Sequence, residues 1–171
     1  MSSPDRVFTQ SFVVVGGILE RDGKILLVQE AGNDKGLDRG KWSHPAGWLD
    51  IGENPVDGAQ REVLEETGYD WRPTHIIGLY SLVRKDIVLE RHMDWPPGTP
   101  HALKIIFKGQ IISNSPRPTE DDVLGTKWFT PQEIYGMDQD TLRDMDIKHI
   151  VRDYFRGNQI DMPYLTHTVQ A

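Results

Sequence analysis

Two apolar runs near the start of the chain predict a pair of β-strands. Residues 12–20 read FVVVGGILE and residues 24–30 read KILLVQE, and both are rich in the aliphatic and β-branched side chains that favour strands. The tripeptide RDG separates them, and an Asp-Gly pair between two strands is typical of a tight hairpin turn. We therefore predict a β-hairpin at the start of the fold.

A helix over residues 55–67 is predicted by its apolar spacing and by both of its ends. Its apolar positions recur at helical intervals and form a stripe for the core: Val56, Ala59 and Val63. Asn54 is a favourable N-cap, and Pro55 suits the first helical position. Gly68 follows the last helical residue, where a left-handed glycine commonly ends a helix.

The rest of the chain predicts a mixed α/β arrangement. Further strand-like runs occupy residues 75–84, 102–112 and 127–129. Two C-terminal helices are expected, one after Pro131 and an amphipathic one over residues 146–155. No shift of composition marks a boundary, so we expect one domain over residues 1–171, with residues 1–10 and 158–171 as peripheral tails.

The composition is that of an ordinary globular protein and excludes several classes of function. The 171 residues are 37% hydrophobic and 26% charged. No apolar run approaches the roughly 20 residues that span a bilayer, so no membrane partner is expected. The absence of cysteine excludes disulfides, thiolate metal sites and a cysteine nucleophile, and it fits a cytoplasmic compartment. A net charge of −7 without a basic cluster argues against binding of duplex nucleic acid.

The segment over residues 47–69, GWLDIGENPVDGAQREVLEETGY, carries the candidate chemistry. In a helix, Glu62, Glu65 and Glu66 lie within an arc of about 100° and place three negative charges on one face. The last two fall in the final turn, where the helix dipole disfavours anions. Bound Mg²⁺ would relieve this conflict, because carboxylate oxygens suit that ion. Arg61 precedes Glu65 by four residues and can pair with it.

This segment resembles the signature of the Nudix hydrolase family and matches every fixed position of the Nudix box. The match consists of Gly47, five residues, Glu53, seven residues and the run REVLEETGY. The odds that such a match arises by chance are roughly one in ten million. We therefore favour a functional site over the alternative, in which the glutamates form only a solvated acidic face of the helix. The resemblance implies an α/β/α sandwich with a central mixed β-sheet. It also implies hydrolysis of a phosphoanhydride bond with Mg²⁺, for which Mn²⁺ can substitute.

The resemblance implies roles for individual residues as well. The metal ligands would be the carbonyl oxygen of Ala46 and the carboxylates of Glu62, Glu65 and Glu66. Glu53 would support the box or touch a second metal, although a favourable charge beside the helix N-terminus is an equal interpretation. The catalytic base would be Glu62 or an acid of a later loop over residues 118–123, where Glu120 is the first candidate and Asp121 the second.

Several side chains near the box are candidates for contact with the substrate. Three tryptophans could stack on a base or pack in the protein: Trp42, Trp48 and Trp95. Three basic residues before the box could meet phosphates or remain solvated: Lys35, Arg39 and Lys41. Two histidines could approach phosphates or have structural roles: His44 and His101. From these sets we select Trp48, Lys41 and Arg39 as the substrate-binding candidates.

The substrate is predicted only as a class. The marks of the diadenosine-polyphosphate, ADP-ribose, NADH and coenzyme-A subfamilies are absent, so the chain resembles the small MutT-like members. Its partner would be a small nucleoside tri- or diphosphate, or a nucleoside diphosphate derivative, bound by a monomer or homodimer. An inactive Nudix domain that senses nucleotides or binds proteins is the alternative. The retention of all four box glutamates favours an enzyme.

Overall fold

The computed structural model describes residues 11–32, 36–84, 101–113 and 123–170. Its strands are β1 Ser11–Ile18, β2 Glu20–Arg21, β3 Lys24–Glu30, β4 Trp42–Ser43, β5 Ala46–Trp48, β6 Trp71–Val83, β7 His101–Ile111, β8 Val123–Phe129 and β9 Ile160–Asp161. Its helices are α1 Pro55–Thr67, α2 Pro131–Gly136 and α3 Ile147–Phe155. Within these residues, no helix is long and apolar enough to cross a membrane.

A five-stranded mixed sheet forms the centre of the fold, in the order β5-β1-β7-β6-β9. Strands β1 and β7 run parallel, from Ser11 beside His101 to Ile18 beside Lys108. Their outer neighbours are antiparallel, since β5 pairs with β1 and β6 pairs with β7 in that sense. A second sheet is built around β3, which pairs antiparallel with β2, β4 and β8.

The helices pack on two separate core clusters and confirm the predicted α/β/α sandwich. Ile106 and Phe107 are neighbours on β7 and point to opposite faces of the central sheet, and each belongs to a different cluster. Ala59 and Val63 of α1 are fully buried in the cluster of Phe107. Helices α2 and α3 contribute to the other cluster through Ile134, Ile147, Ile150 and Val151.

Helix α1 has the predicted bounds because both of its ends are capped by the residues that the sequence indicated. The Asn54 side chain accepts a hydrogen bond of 3.0 Å from the backbone N–H of Val56. Gly68 adopts a left-handed φ of 69° and donates its N–H to the Leu64 carbonyl at 2.8 Å. The stripe of Val56, Ala59 and Val63 faces the core as predicted.

The predicted hairpin forms between β2 and β3 rather than between the two whole apolar runs. Asp22 and Gly23 both have positive φ, 53° and 75°, as a tight two-residue turn of this kind requires. Glu20 pairs with Ile25 across the turn. Leu19 is fully buried where the chain leaves β1, so the first apolar run is shared between the two sheets.

Replacing Gly23 by Val should lower stability and leave the chemistry unchanged. A β-branched residue is strained at the φ of 75°, although an added Cβ would meet nothing within 4 Å. Strain of this kind costs about 1–3 kcal/mol, which thermal unfolding would register as a fall of several degrees. Gly23→Asn is the matched control, because Asn tolerates positive φ. Equal melting temperatures for Gly23→Val and the wild type would contradict this account of the turn.

Two strands begin earlier than predicted, and a further strand forms in the C-terminal segment. Strand β6 begins at Trp71, and its register shifts between Pro73 and His75, because proline cannot donate to the ladder. Strand β8 also starts earlier than predicted. The C-terminal segment, expected as a peripheral tail, forms β9 and pairs with β6. Two of its side chains pack against the cluster under α1: Met162 and Leu165.

Candidate active site

A cleft of about 610 Å³ opens beside the C-terminal half of α1. Its acidic side carries Glu30, Glu62, Glu65 and Glu66. Its apolar side carries Phe12, Val14, Trp48 and Leu82. A third side carries charged residues from loops and from β7: Asp38, Arg84, Lys104, Arg143 and Asp144. Three of the four box glutamates therefore share one cavity with residues from distant parts of the chain, whereas Glu53 is not among the lining residues.

Arg61 ties three of the box glutamates together. Its Nε and Nη2 donate to the two oxygens of Glu53 at 2.8 and 2.9 Å. Its Nη1 donates to Glu62 at 2.7 Å and to Glu65 at 3.0 Å, so the predicted pairing with Glu65 is confirmed. Nη2 also reaches the Trp48 carbonyl at 3.1 Å. The hydrogen bond from Arg61 lowers the pKa of Glu53.

Glu62 lies against the backbone of Gly47. A Cβ placed on Gly47 would stand 2.2–2.4 Å from the three carboxyl atoms of Glu62, a separation that van der Waals contact forbids. Only glycine at this position leaves room for the carboxylate. Burial raises the pKa of Glu62, and the hydrogen bond from Arg61 partly opposes this rise. The first glycine of the box thus leaves the space that the Glu62 carboxylate occupies in the cleft.

Glu66 is a partly buried glutamate in the last turn of α1. It accepts a hydrogen bond of 2.9 Å from the backbone N–H of Ala46. Burial raises its pKa well above the usual range, and the nearby charge of Glu30 adds to the rise. Burial also raises the pKa of Glu30, which Arg143 pairs with at 2.9 Å. Ionisation of these two carboxylates is therefore disfavoured, mainly by their burial and partly by neighbouring negative charge.

The oxygen atoms around Glu62, Glu66 and Ala46 are suitable ligands for a hard divalent cation. Carboxylate and carbonyl oxygens are the ligands that Mg²⁺, Mn²⁺ and Ca²⁺ prefer. The raised pKa values of Glu62 and Glu66 show carboxylates that would ionise more readily beside added positive charge. Among the described residues, no three acidic or histidine side chains already stand in a metal-ligand arrangement, and Arg61 holds Glu62 and Glu65 in ion pairs instead.

Comparison with known proteins identifies the family to which this site belongs. The sequence model of the NUDIX domain matches residues 9–154, which is most of the chain. The chain is a member of the Nudix family. It is accordingly a pyrophosphohydrolase, and enzymes of this family generally use a divalent metal ion.

Individual relatives support the same Nudix assignment. Phosphatase NudJ of Escherichia coli strain K12 is 29% identical over 148 residues, which cover 86% of this chain and 85% of that protein. A NUDIX hydrolase from Nitrosomonas europaea superimposes with a TM-score of 0.76 and 28% identity, covering 93% of this chain and 98% of that one. The NUDIX domain of Shewanella oneidensis NrtR, solved with ADP ribose, shares the fold with a TM-score of 0.64 and 15% identity, covering 91% and 94%.

The predicted substrate-binding residues of this Nudix chain lie in different surroundings. Trp48 is half exposed at the mouth of the cleft and meets Phe12 edge to face, with the ring centroids 4.5 Å apart. Arg39 donates to the Ala31 carbonyl at 2.9 Å, and Lys41 pairs with Asp38 at 3.5 Å. Neither basic residue is among those that line the cleft. Four candidates lie outside the described residues: Lys35, Trp95, Glu120 and Asp121.

The other aromatic and histidine candidates have structural surroundings. Trp42 packs edge to face on Phe129 at 4.9 Å. His101 hydrogen-bonds to Ser81 at 2.8 Å at the start of β7. His44 lines the cleft but is only 2% exposed, and burial lowers its pKa to about 3. An uncharged imidazole lacks the positive charge that would attract a phosphate.

Sequence reasoning missed the charged wall of the cleft. Arg143 and Glu30 pair across 113 positions of the chain, and Lys104 of β7 reaches Asp144 at 2.8 Å. Lys104 is only 3% exposed, so a charge is buried within a strand. The one local signal is its place in the apolar run over residues 102–112, where a lysine needs a partner. Nothing in the local sequence indicates which acid supplies that partner.

Proposed function

We propose that this protein is a Mg²⁺-dependent Nudix hydrolase that cleaves a phosphoanhydride bond in a nucleoside tri- or diphosphate or in a nucleoside diphosphate derivative. The observation that carries the proposal is the buried carboxylate of Glu66, held by the Ala46 N–H beside Glu62 and opposite an aromatic pair. The acidic side suits a metal-bound diphosphate, and the aromatic side suits a flat ring. One cavity therefore offers contacts to both halves of a nucleotide.

The chain's own residues supply ligands, orientation and a base. Glu62, Glu65, Glu66 and the Ala46 carbonyl would hold the cation. When bound, Mg²⁺ neutralises charge on the diphosphate and lowers the pKa of water. Arg61 keeps the carboxylates of Glu53 and Glu65 in fixed rotamers through its hydrogen bonds. Glu62 then accepts a proton from the attacking water, or Glu120 does so from its later loop.

The nucleoside is proposed to bind on the apolar side of the cleft. Trp48 presents an exposed ring to the cleft and is braced by Phe12, so a base can stack on it without a large rearrangement. Arg39 and Lys41 are proposed to meet phosphates at the rim, where their present partners are a backbone carbonyl and a surface ion pair. A related fold binds ADP ribose, which supports a nucleotide-like ligand.

A substrate panel with Mg²⁺ tests the proposed reaction. Nucleoside triphosphates, nucleoside diphosphates and nucleoside diphosphate sugars would be incubated with the protein, and both phosphate and pyrophosphate release would be measured. We expect turnover of at least one class, and loss of that turnover in EDTA. Tight binding of a nucleotide without any turnover would instead favour a sensor.

A metal soak tests the proposed ligands. Crystals soaked in Mn²⁺ should show anomalous density beside Glu65 and Glu66, and density elsewhere would refute this set of ligands.

A further inference from the structure

Asp38 is an acidic residue built into the wall of the cleft. It lies in the loop between β3 and β4, lines the cleft, and has a side chain that is only 8% exposed. Its backbone has a φ of 62°, a left-handed conformation that non-glycine residues seldom adopt. Asp is one of the few non-glycine residues that tolerate this conformation, and here it places a buried acid at the cleft.

Two arginines converge on the Asp38 carboxylate. Arg84 approaches it with both terminal nitrogens, Nη1 to Oδ2 at 3.1 Å and Nη2 to Oδ1 at 3.2 Å. Arg143 adds its Nε at 3.8 Å from Oδ2, and Lys41 adds its Nζ at 3.5 Å from Oδ1. This two-pronged geometry is the one in which guanidinium groups bind phosphate as well as carboxylate. Asp38 therefore stands where an anionic group of a ligand would bind.

Both arginines are held in place by further partners. Arg84 also donates to Asp144 at 3.0 Å and to the Arg143 carbonyl at 3.3 Å. Arg143 also pairs with Glu30 at 2.9 Å. The two guanidinium groups would therefore stay on the cleft wall if the Asp38 carboxylate were removed. The arginine pair is a preformed anion site that Asp38 fills from within the chain.

We infer that Asp38 is a specificity-determining residue: it occupies the anion site of Arg84 and Arg143 and thereby excludes substrates that would place an additional phosphate there. This inference rests on the proposed function, since it concerns the part of the substrate beyond the scissile diphosphate. Among the residues that the structure describes, the other cations that line the cleft, Arg61 and Lys104, are also engaged by acids. The charged side of the cleft, as far as the structure describes it, therefore favours one kind of substrate. This is a diphosphate that carries an uncharged group beyond the diphosphate, rather than a substrate with a longer phosphate chain.

Two substitutions separate the carboxylate from the backbone conformation. Asp38→Asn removes the charge and keeps a residue type that tolerates positive φ. Asp38→Gly removes the whole side chain and suits the same φ better still. Asp140→Asn is the matched control, because it makes the same change of net charge at an exposed position outside the cleft. All three variants are compared by thermal unfolding before binding is measured.

Metal-free binding of inorganic tripolyphosphate is the first measurement, made by titration calorimetry in EDTA. We expect Asp38→Asn and Asp38→Gly to bind it at least about tenfold more tightly than the wild type and Asp140→Asn. The gain should shrink as salt is raised, since it arises from attraction between opposite charges. With Mg²⁺, the ratio of kcat/KM for a nucleoside triphosphate to that for a nucleoside diphosphate sugar should rise by a similar factor.

The outcomes distinguish this inference from the proposed function. If folded Asp38→Asn and Asp38→Gly bind tripolyphosphate no better than the wild type, Asp38 does not block an anion site. If both variants fail to fold, Asp38 is a structural residue, and the inference is equally overturned. If the wild type hydrolyses none of the nucleotides with Mg²⁺, the proposed function fails, while the metal-free titration still decides whether the Asp38 carboxylate blocks an anion site.

Discussion

Replacing Glu66 by Gln should lower kcat by at least about 100-fold while leaving the fold intact. Gln has the same shape and can still accept the hydrogen bond from the Ala46 N–H, which is 2.9 Å from the carboxylate. The substitution removes one negative ligand from the proposed cation site, and every 1.36 kcal/mol lost from transition-state stabilisation is tenfold in rate. Asp57→Asn on the exposed side of the same helix is the control and should keep wild-type activity.

Stability should change in the opposite direction to activity. The folded protein raises the pKa of Glu66 above the unfolded value of 4.5, so ionising this group in the metal-free protein costs stability. The advantage of Glu66→Gln should therefore be absent below about pH 4, grow as the pH rises past 4.5, and persist at neutral pH. Denaturant unfolding in EDTA across this range measures it. Wild-type rates, or a variant that unfolds, would contradict a catalytic cluster on this helix.

The parts of the fold that sequence predicted well are those with local causes. Helix α1 needs Asn54 before it and Gly68 after it, and each acts on backbone groups within four residues. The Asp22-Gly23 turn is equally local, because the positive φ of both residues selects the tight connection. The bounds of α1 and the position of the turn could therefore be read without knowledge of any distant contact.

The cleft wall could not be predicted because its contacts are distant in the chain. Arg84 meets Asp38 and Asp144 across 46 and 60 positions, and only the completed sheet brings them together. The same limit applies to the two tryptophans that flank the start of the box. Trp42 packs on Phe129, whereas Trp48 remains half exposed at the cleft. Their different surroundings come from the pairing of β4 with β3 and of β5 with β1.

The roles of the box glutamates were expected from the motif, but the structure adds a physical reason for a glycine. From the motif alone, Gly47 is only a fixed position of the box that follows the Ala46 carbonyl. Its φ is not positive, so backbone conformation does not require glycine there. The close approach of the Glu62 carboxylate does require it. A contact of this kind joins β5 to α1 and cannot be inferred from either segment alone.

Replacing Gly47 by Ala should therefore lower kcat on the order of 100-fold with little loss of stability. The added Cβ would stand 2.2 Å from Oε2 of Glu62, so the carboxylate must rotate out of its position. This movement is cheap for the fold, because the end of a flexible side chain gives way rather than the backbone. It is costly for the reaction, because a positioned general base contributes about 10²–10⁴ in rate. Gly125→Ala is the control, since its Cβ would meet nothing within 4 Å.

A double-mutant cycle with Glu62→Gln shows whether Gly47→Ala acts through Glu62. If it does, adding Gly47→Ala to Glu62→Gln should change kcat by less than about threefold, because the carboxylate that the Cβ displaces is already gone. If the two losses multiply instead, the methyl group disturbs something other than Glu62, such as the Ala46 carbonyl next to it. Unchanged activity of the single Gly47→Ala variant would mean that the position of Glu62 beside Gly47 is not the one used in catalysis. The cycle thus tests a steric contact and a chemical role with the same four proteins.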